Sequence, residues 1–268
     1  MLRLIILSLL LSACSITGEN FRYAKLLKLN DQLQFKETIL KGTTFDLFSM
    51  QKLNGSKSLV VYIEGDGLSW VNRVTPSSDP TPINPVGFKL ARIDLSKADI
   101  VYLARPCQYV KNQACNKDVW ARRQYAREII NDYISIIEEL SSSYEDLHIV
   151  GYSGGAALAR FLGSVEKLKV KSIRTIAGNI EPNEFVRLLN LTPQESSVDF
   201  NNVDQNIKQI SQTHYYGLDD KVIPLQMHQS YERRHGDNEC IKVIAVKATH
   251  EENWESFWQN NYALRLNC

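Results

Sequence analysis

The stretch that most constrains how this chain folds is Leu147 to Gly163, LHIVGYSGGAALARFLG. Leu147 to Val150 is a short apolar run suited to a buried strand, and Ala156 to Leu162 is helix-forming. Between them stands Gly151-Tyr152-Ser153-Gly154-Gly155. A strand that turns at once into a helix lifts the serine at its apex clear of the sheet. Such a turn strains the serine backbone and brings strand and helix close together. The positions two before and two after the serine then need almost no side chain, and Gly151 and Gly155 meet that demand. At the helix N-terminus, the Gly154 N–H can point toward an oxyanion beside Ser153.

With a strand before it and a helix after it, this segment resembles the nucleophile elbow of the α/β-hydrolase superfamily. Arg105-Pro106-Cys107-Gln108-Tyr109 is similar to a segment of bacterial exported and lipoprotein serine hydrolases of unassigned substrate. The resemblance implies an α/β fold: a mostly parallel, doubly wound sheet with helices on both faces and a small cap insertion. It also implies an acid and then a histidine after the serine, each following a later strand. Asp219 and Asp220 both qualify in Gly217–Pro224, and the resemblance favours Asp220. His250 follows the final strand, whereas His148 and His214 fall inside strands and His228 and His235 on or near a helix. The second oxyanion donor is expected in Glu64-Gly65-Asp66-Gly67, at the Asp66 N–H. Glu64 stands there where the superfamily often carries histidine. Tyr152 and Trp70 are candidates for lining the substrate pocket and equally for the core.

The other elements follow from periodicity. Gln34–Leu40 and Phe45–Leu53, joined at Lys41-Gly42, read as a hairpin, and Ser58–Ile63, SLVVYI, as a central strand. Leu68–Pro85 holds Trp70 and several prolines and reads as a loop that lips the site. Val86–Leu95 reads as a helix and Asp99–Leu103 as a strand. A long helix capped by Asp118 is expected through Leu140, with Ala126, Ile129, Ile130, Tyr133, Ile137 and Leu140 on its inner face. Strands are expected at Ser172–Ala177, Gln212–Gly217 and Ile241–Val246, and helices at Pro224–Arg234 and Asn253–Leu264. Residues 179–210 make the cap, with one helix at Asn183–Leu189. Strands alternating with helices give a parallel sheet.

Met1-Leu2-Arg3, the apolar run Leu4–Leu11 and Leu11-Ser12-Ala13-Cys14 read as a signal peptide over residues 1–13, its apolar run too short to span a bilayer. Leu-Ser-Ala-Cys looks like a bacterial lipobox. It implies lipidation at Cys14 and, with Ser15 next, an outer-membrane lipoprotein facing the periplasm. Residues 14–33 read as a tether with room for a short helix, and 34–268 as one hydrolase domain. Loss of Arg3 with the signal peptide balances basic against acidic residues, so nothing electrostatic draws the chain to nucleic acid, and the membrane link is the lipid. Four cysteines remain: Cys107, Cys115, Cys240 and Cys268. Three pairings are possible, and the expectation is Cys107 with Cys115 and Cys240 with Cys268.

These readings add to a serine hydrolase that cleaves an ester, thioester or amide with Ser153, Asp220 and His250. Gly154 and Asp66 would donate to the oxyanion. The alternative is a non-catalytic envelope lipoprotein using the same fold as a binding module. No cofactor is implied, because cysteines and histidines do not cluster at metal-ligand spacing and no Gly-rich phosphate loop is present.

Overall fold

The computed structural model describes residues 18–31, 33–262 and 268. The signal peptide, Cys14 and the far end of the expected closing helix lie outside the described residues. Eight strands form one sheet: β1 (Lys36–Leu40), β2 (Leu47–Lys52), β3 (Ser58–Ile63), β4 (Asp99–Leu103), β5 (Asp146–Tyr152), β6 (Val170–Ile176), β7 (Ser211–Gly217) and β8 (Ile241–Val246). Their spatial order is β1, β2, β4, β3, β5, β6, β7, β8. The β1–β2 hairpin is antiparallel, β2 runs antiparallel to β4, and β3 through β8 are all parallel.

The central strands carry apolar residues on both faces because each is packed against a layer on either side. Leu59, Val61, Ile63, Leu147 and Ile149 point into one core. Val60, Tyr62, Val150 and Tyr152 point into the other. The first core is closed by α4 (Arg127–Ser141) and α5 (Gly155–Gly163), the second by α2 (Val86–Ala91) and α9 (Trp254–Asn261). Trp254 and Trp258 are fully buried in the second, as the aromatic side of the closing helix suggested.

Three sequence expectations change. The single helix from Asp118 to Leu140 is two, α3 (Lys117–Ala121) and α4, and Asn116, not Asp118, caps the first by accepting the Asp118 N–H. The break has a physical cause. The carbonyls of Arg122, Gln124 and Tyr125 accept from Glu195 N–H, the Arg105 guanidinium and Val198 N–H. They are therefore committed to distant partners and unavailable to a helix. Second, part of the expected tether is α1 (Gly18–Leu29), docked on the body. Its Leu26 is fully buried, and Arg22 donates to the Asp79 carboxylate and to the Asp79 and Thr81 carbonyls. Third, the 179–210 insertion holds a second short helix. Beside α6 (Pro182–Leu189) lies α7 (Val203–Ile207), anchored by buried Val203 and Ile207 one turn apart. One further helix, α8 (Leu225–His235), follows β7. Both expected disulfides form, with Cα separations of 5.7 Å for Cys107–Cys115 and 5.1 Å for Cys240–Cys268.

Candidate active site

Ser153 sits between β5 and α5 with φ +51, a left-handed backbone that non-glycine residues adopt only under strain. The strain is held by its surroundings. The Ser153 N–H donates to the Ile176 carbonyl, and the Ser153 carbonyl accepts from the N–H groups of Ala156 and Asn179. The flanking glycines are sterically required: a Cβ on Gly151 would come within 2.4 Å of the Gly155 carbonyl oxygen, and one on Gly155 within 2.5 Å of the Ile63 carbonyl oxygen.

Ser153 Oγ lies 3.0 Å from His250 Nε2, and His250 Nδ1 lies 2.9 Å from Asp220 Oδ2. The other Asp220 oxygen accepts the N–H groups of Val222 (2.7 Å) and Ile223 (3.0 Å). Burial alone would raise the Asp220 carboxyl. The hydrogen bond and charge of His250, with the two N–H groups, outweigh that and hold it below the usual carboxylate range. Asp219 points away and pairs with Lys247. The acid and histidine loops are pressed together at Gly217, where a Cβ would come within 2.5 Å of the Ala248 carbonyl oxygen.

Tyr152 is not a pocket residue. Its ring is buried in the second core, and its hydroxyl donates to the His250 carbonyl at 3.0 Å. Trp254 Nε1 reaches the same carbonyl at 3.1 Å, so the histidine loop is pinned from both sides. Trp70 is half-buried and packs against the first core. Of the remaining histidines, His235 lies 3.5 Å from the Asp204 carboxylate, and the other three are buried in contacts away from Ser153. His148 bonds Ser172, His214 bonds Thr175, and His228 stacks on Tyr216.

The loop after β3 touches the serine directly: a Cβ on Gly65 would lie 3.0 Å from Ser153 Cβ. Among the described residues, the N–H groups of Gly154 and Asp66 donate to no acceptor. Other groups of the loop are tied. The Gly65 N–H donates to Glu64, the Gly65 carbonyl accepts from Gln108, the Asp66 carbonyl accepts from Ser69 Oγ, and the Leu68 N–H donates to the Pro80 carbonyl. The sequence did not reveal Arg105, whose guanidinium meets Asp66 Oδ1 at 2.7 Å and the Gln124 carbonyl at 2.6 Å. One signal was present: an arginine two residues past the buried parallel strand β4 stands at the sheet edge where sites form. Among the described residues, no group of three or more His, Cys, Asp or Glu side chains is placed to hold a metal ion.

Glu64 is buried and accepts from the N–H groups of Gly65, Gly87 and Phe88 and from the Tyr102 hydroxyl. Burial pushes its carboxyl up from 4.5 to about 7, against the pull of those donors. A carboxyl raised on folding lends stability below its unfolded pKa, and that stability is lost as pH rises through the folded value. The shift corresponds to about 3 kcal/mol lost between roughly pH 4.5 and pH 7. Urea unfolding of the wild type beside Glu64→Gln should therefore show the wild type's stability, relative to the variant's, falling by about that amount as pH rises across this range. A pH-independent difference would show that folding does not raise the carboxyl.

No protein-family model and no curated protein matches this sequence. Solved structures do. An esterase of Pyrococcus furiosus, Pf2001, is similar over 87% of this chain and 92% of its own, at 13% identity and a TM-score of 0.61. An alpha-beta serine hydrolase homologue from Coxiella burnetii matches over 85% of this chain and 97% of its own, at 14% identity and a TM-score of 0.55. XC6422 from Xanthomonas campestris, a serine hydrolase without a lid, matches over 85% and 91%, at 11% identity and a TM-score of 0.54. Likeness this extensive at such low identity is likeness of fold, and together with the strand order and the sharp turn at Ser153 it gives this chain the α/β-hydrolase fold.

Proposed function

We propose that this protein is a serine hydrolase that cleaves a carboxylic ester through an acyl-enzyme. The observation that carries the reading is the continuous line from Ser153 Oγ through both nitrogens of His250 to Asp220, at 3.0 and 2.9 Å. With Asp220 ionised, the Nδ1–H of His250 donates to it and Nε2 is left as the base. His250 takes the proton of Ser153 as Oγ attacks the carbonyl carbon. The oxyanion is met by the N–H groups of Gly154 and Asp66, each such donor being worth about 3–4 kcal/mol in the transition state. His250 then returns the proton to the leaving alcohol. Water, deprotonated by His250 in turn, splits the acyl-enzyme into the carboxylic acid and free Ser153. Similarity to an esterase and to serine hydrolases favours an ester over a thioester or amide.

We further propose, from the Leu-Ser-Ala-Cys sequence, that the chain is anchored in the bacterial envelope through a lipidated Cys14 at the outer membrane and faces the periplasm. The two disulfides support an oxidising compartment. A fluorophosphonate probe should label the wild-type chain once, with the label mapping to the peptide that contains Ser153. The same preparation should hydrolyse p-nitrophenyl esters, and their chain-length preference would define the acyl site. A folded chain that neither labels nor turns over any of them would sink the reading.

A further inference from the structure

The Asp66 side chain is out of place in a site that needs only an oxyanion hole. A carboxylate beside a developing oxyanion raises the barrier, because like charges repel in a partly desolvated site. Here that carboxylate lies against Gly154: a Cβ on Gly154 would fall 2.1 and 2.3 Å from its two oxygens. This explains why the residue after the serine is glycine. Holding the loop does not require the carboxylate, since Glu64, Gln108, Ser69 and the Pro80 carbonyl already hold it.

Arg105 shows how the charge is tolerated. It is buried and held by the Gln124 carbonyl, and it binds only one of the two oxygens, Oδ1. Among the described residues, Oδ2 receives no donor, and the Asp66 side chain, which lies against Gly154, is 26% exposed. A buried cation thus secures one oxygen and leaves the other as an unused, charge-assisted acceptor next to the proposed oxyanion donors.

We propose that Asp66 is a specificity-determining residue that accepts a hydrogen bond from a hydroxyl or ammonium on the carbon next to the scissile carbonyl, so that the preferred substrates are 2-hydroxyacyl and 2-aminoacyl esters. A donor on that carbon, rotated syn to the carbonyl oxygen, meets Asp66 Oδ2 while the oxygen itself meets the N–H groups. An anionic substituent at the same carbon is repelled. This inference rests on the serine-hydrolase reading above.

The test uses four ethyl esters with three-carbon acyl groups: propanoate, 2-hydroxypropanoate, 2-aminopropanoate and hydrogen malonate. Each kcat/KM is divided by that ester's rate with hydroxide. In the wild type the hydroxy and amino esters should exceed propanoate at least tenfold, the range for a hydrogen bond to a charged acceptor, and malonate should fall below it. Asp66→Asn should shrink the amino-to-propanoate ratio at least tenfold, whatever happens to absolute rates. Wild-type ratios within threefold of one overturn the inference even if the variant does not fold, and so does a preference that survives Asp66→Asn. A wild type that labels at Ser153 with flat ratios, or hydrolyses none of the four, overturns this inference alone. One that neither labels nor turns over any ester overturns the hydrolase reading with it.

Discussion

Ser153→Ala is expected to lower kcat for any ester substrate by about 10⁴-fold to 10⁶-fold and to abolish fluorophosphonate labelling. The expectation follows from the division of labour in the site. Oγ is the proposed acyl-forming atom, 3.0 Å from His250 Nε2, and the variant removes it while keeping the proposed N–H donors. Catalysis by the remaining groups alone accounts for the residue of activity. The fold should be untouched. Alanine meets the same penalty at φ +51 as serine does, and the backbone bonds to Ile176, Ala156 and Asn179 involve no side chain. Thermal unfolding should therefore stay within a few degrees of the wild type. A variant that keeps more than a tenth of the wild-type kcat would remove Ser153 as nucleophile.

What could be read from sequence divides along a physical line. The turn at Ser153 was legible because its requirements are local: Gly151 and Gly155 are demanded by atoms within a few residues of them or by the adjacent strand. The sheet was legible because the buried strands are apolar at successive positions, and its order places Asp220 and His250 after later strands on the same edge as Ser153. What escaped depended on partners far away in the chain. The helix break at Arg122–Ala126 comes from carbonyls claimed by residues 105, 195 and 198, and no local propensity reports that. Arg105 reaches Asp66 across 39 residues, and Tyr152 supports the carbonyl of His250 across 98. The amphipathicity of α1 is weak, so only its docked position reveals Leu26 and Arg22 as anchors.

The choice between two adjacent carboxylates gives the other large effect. Asp220→Asn should lower kcat by about 10⁴-fold, and Asp219→Asn should leave it within about threefold. Asp220 Oδ1 is committed to the N–H groups of Val222 and Ile223, which can donate only to an oxygen. An asparagine at 220 therefore keeps its carbonyl there and turns its NH2 toward His250 Nδ1. A donor facing Nδ1 forces that nitrogen to accept, which moves the ring proton to Nε2, and Nε2 can no longer take the proton of Ser153. The loss is one of tautomer, so it should appear in kcat, with the fold intact. Asp219 lacks this leverage. Its side chain is 45% exposed and its partner Lys247 is 79% exposed, a pairing too well solvated to matter to the site. Stability separates the two as well. Asp220 is held below the usual carboxylate range, so the stability it lends is present above its unfolded pKa and lost on acidification. The stability advantage of the wild type over Asp220→Asn should shrink as pH falls through the acid range. Steady-state kinetics of the two variants at one pH decides the matter, and a reversal of their effects would transfer the orienting role to Asp219.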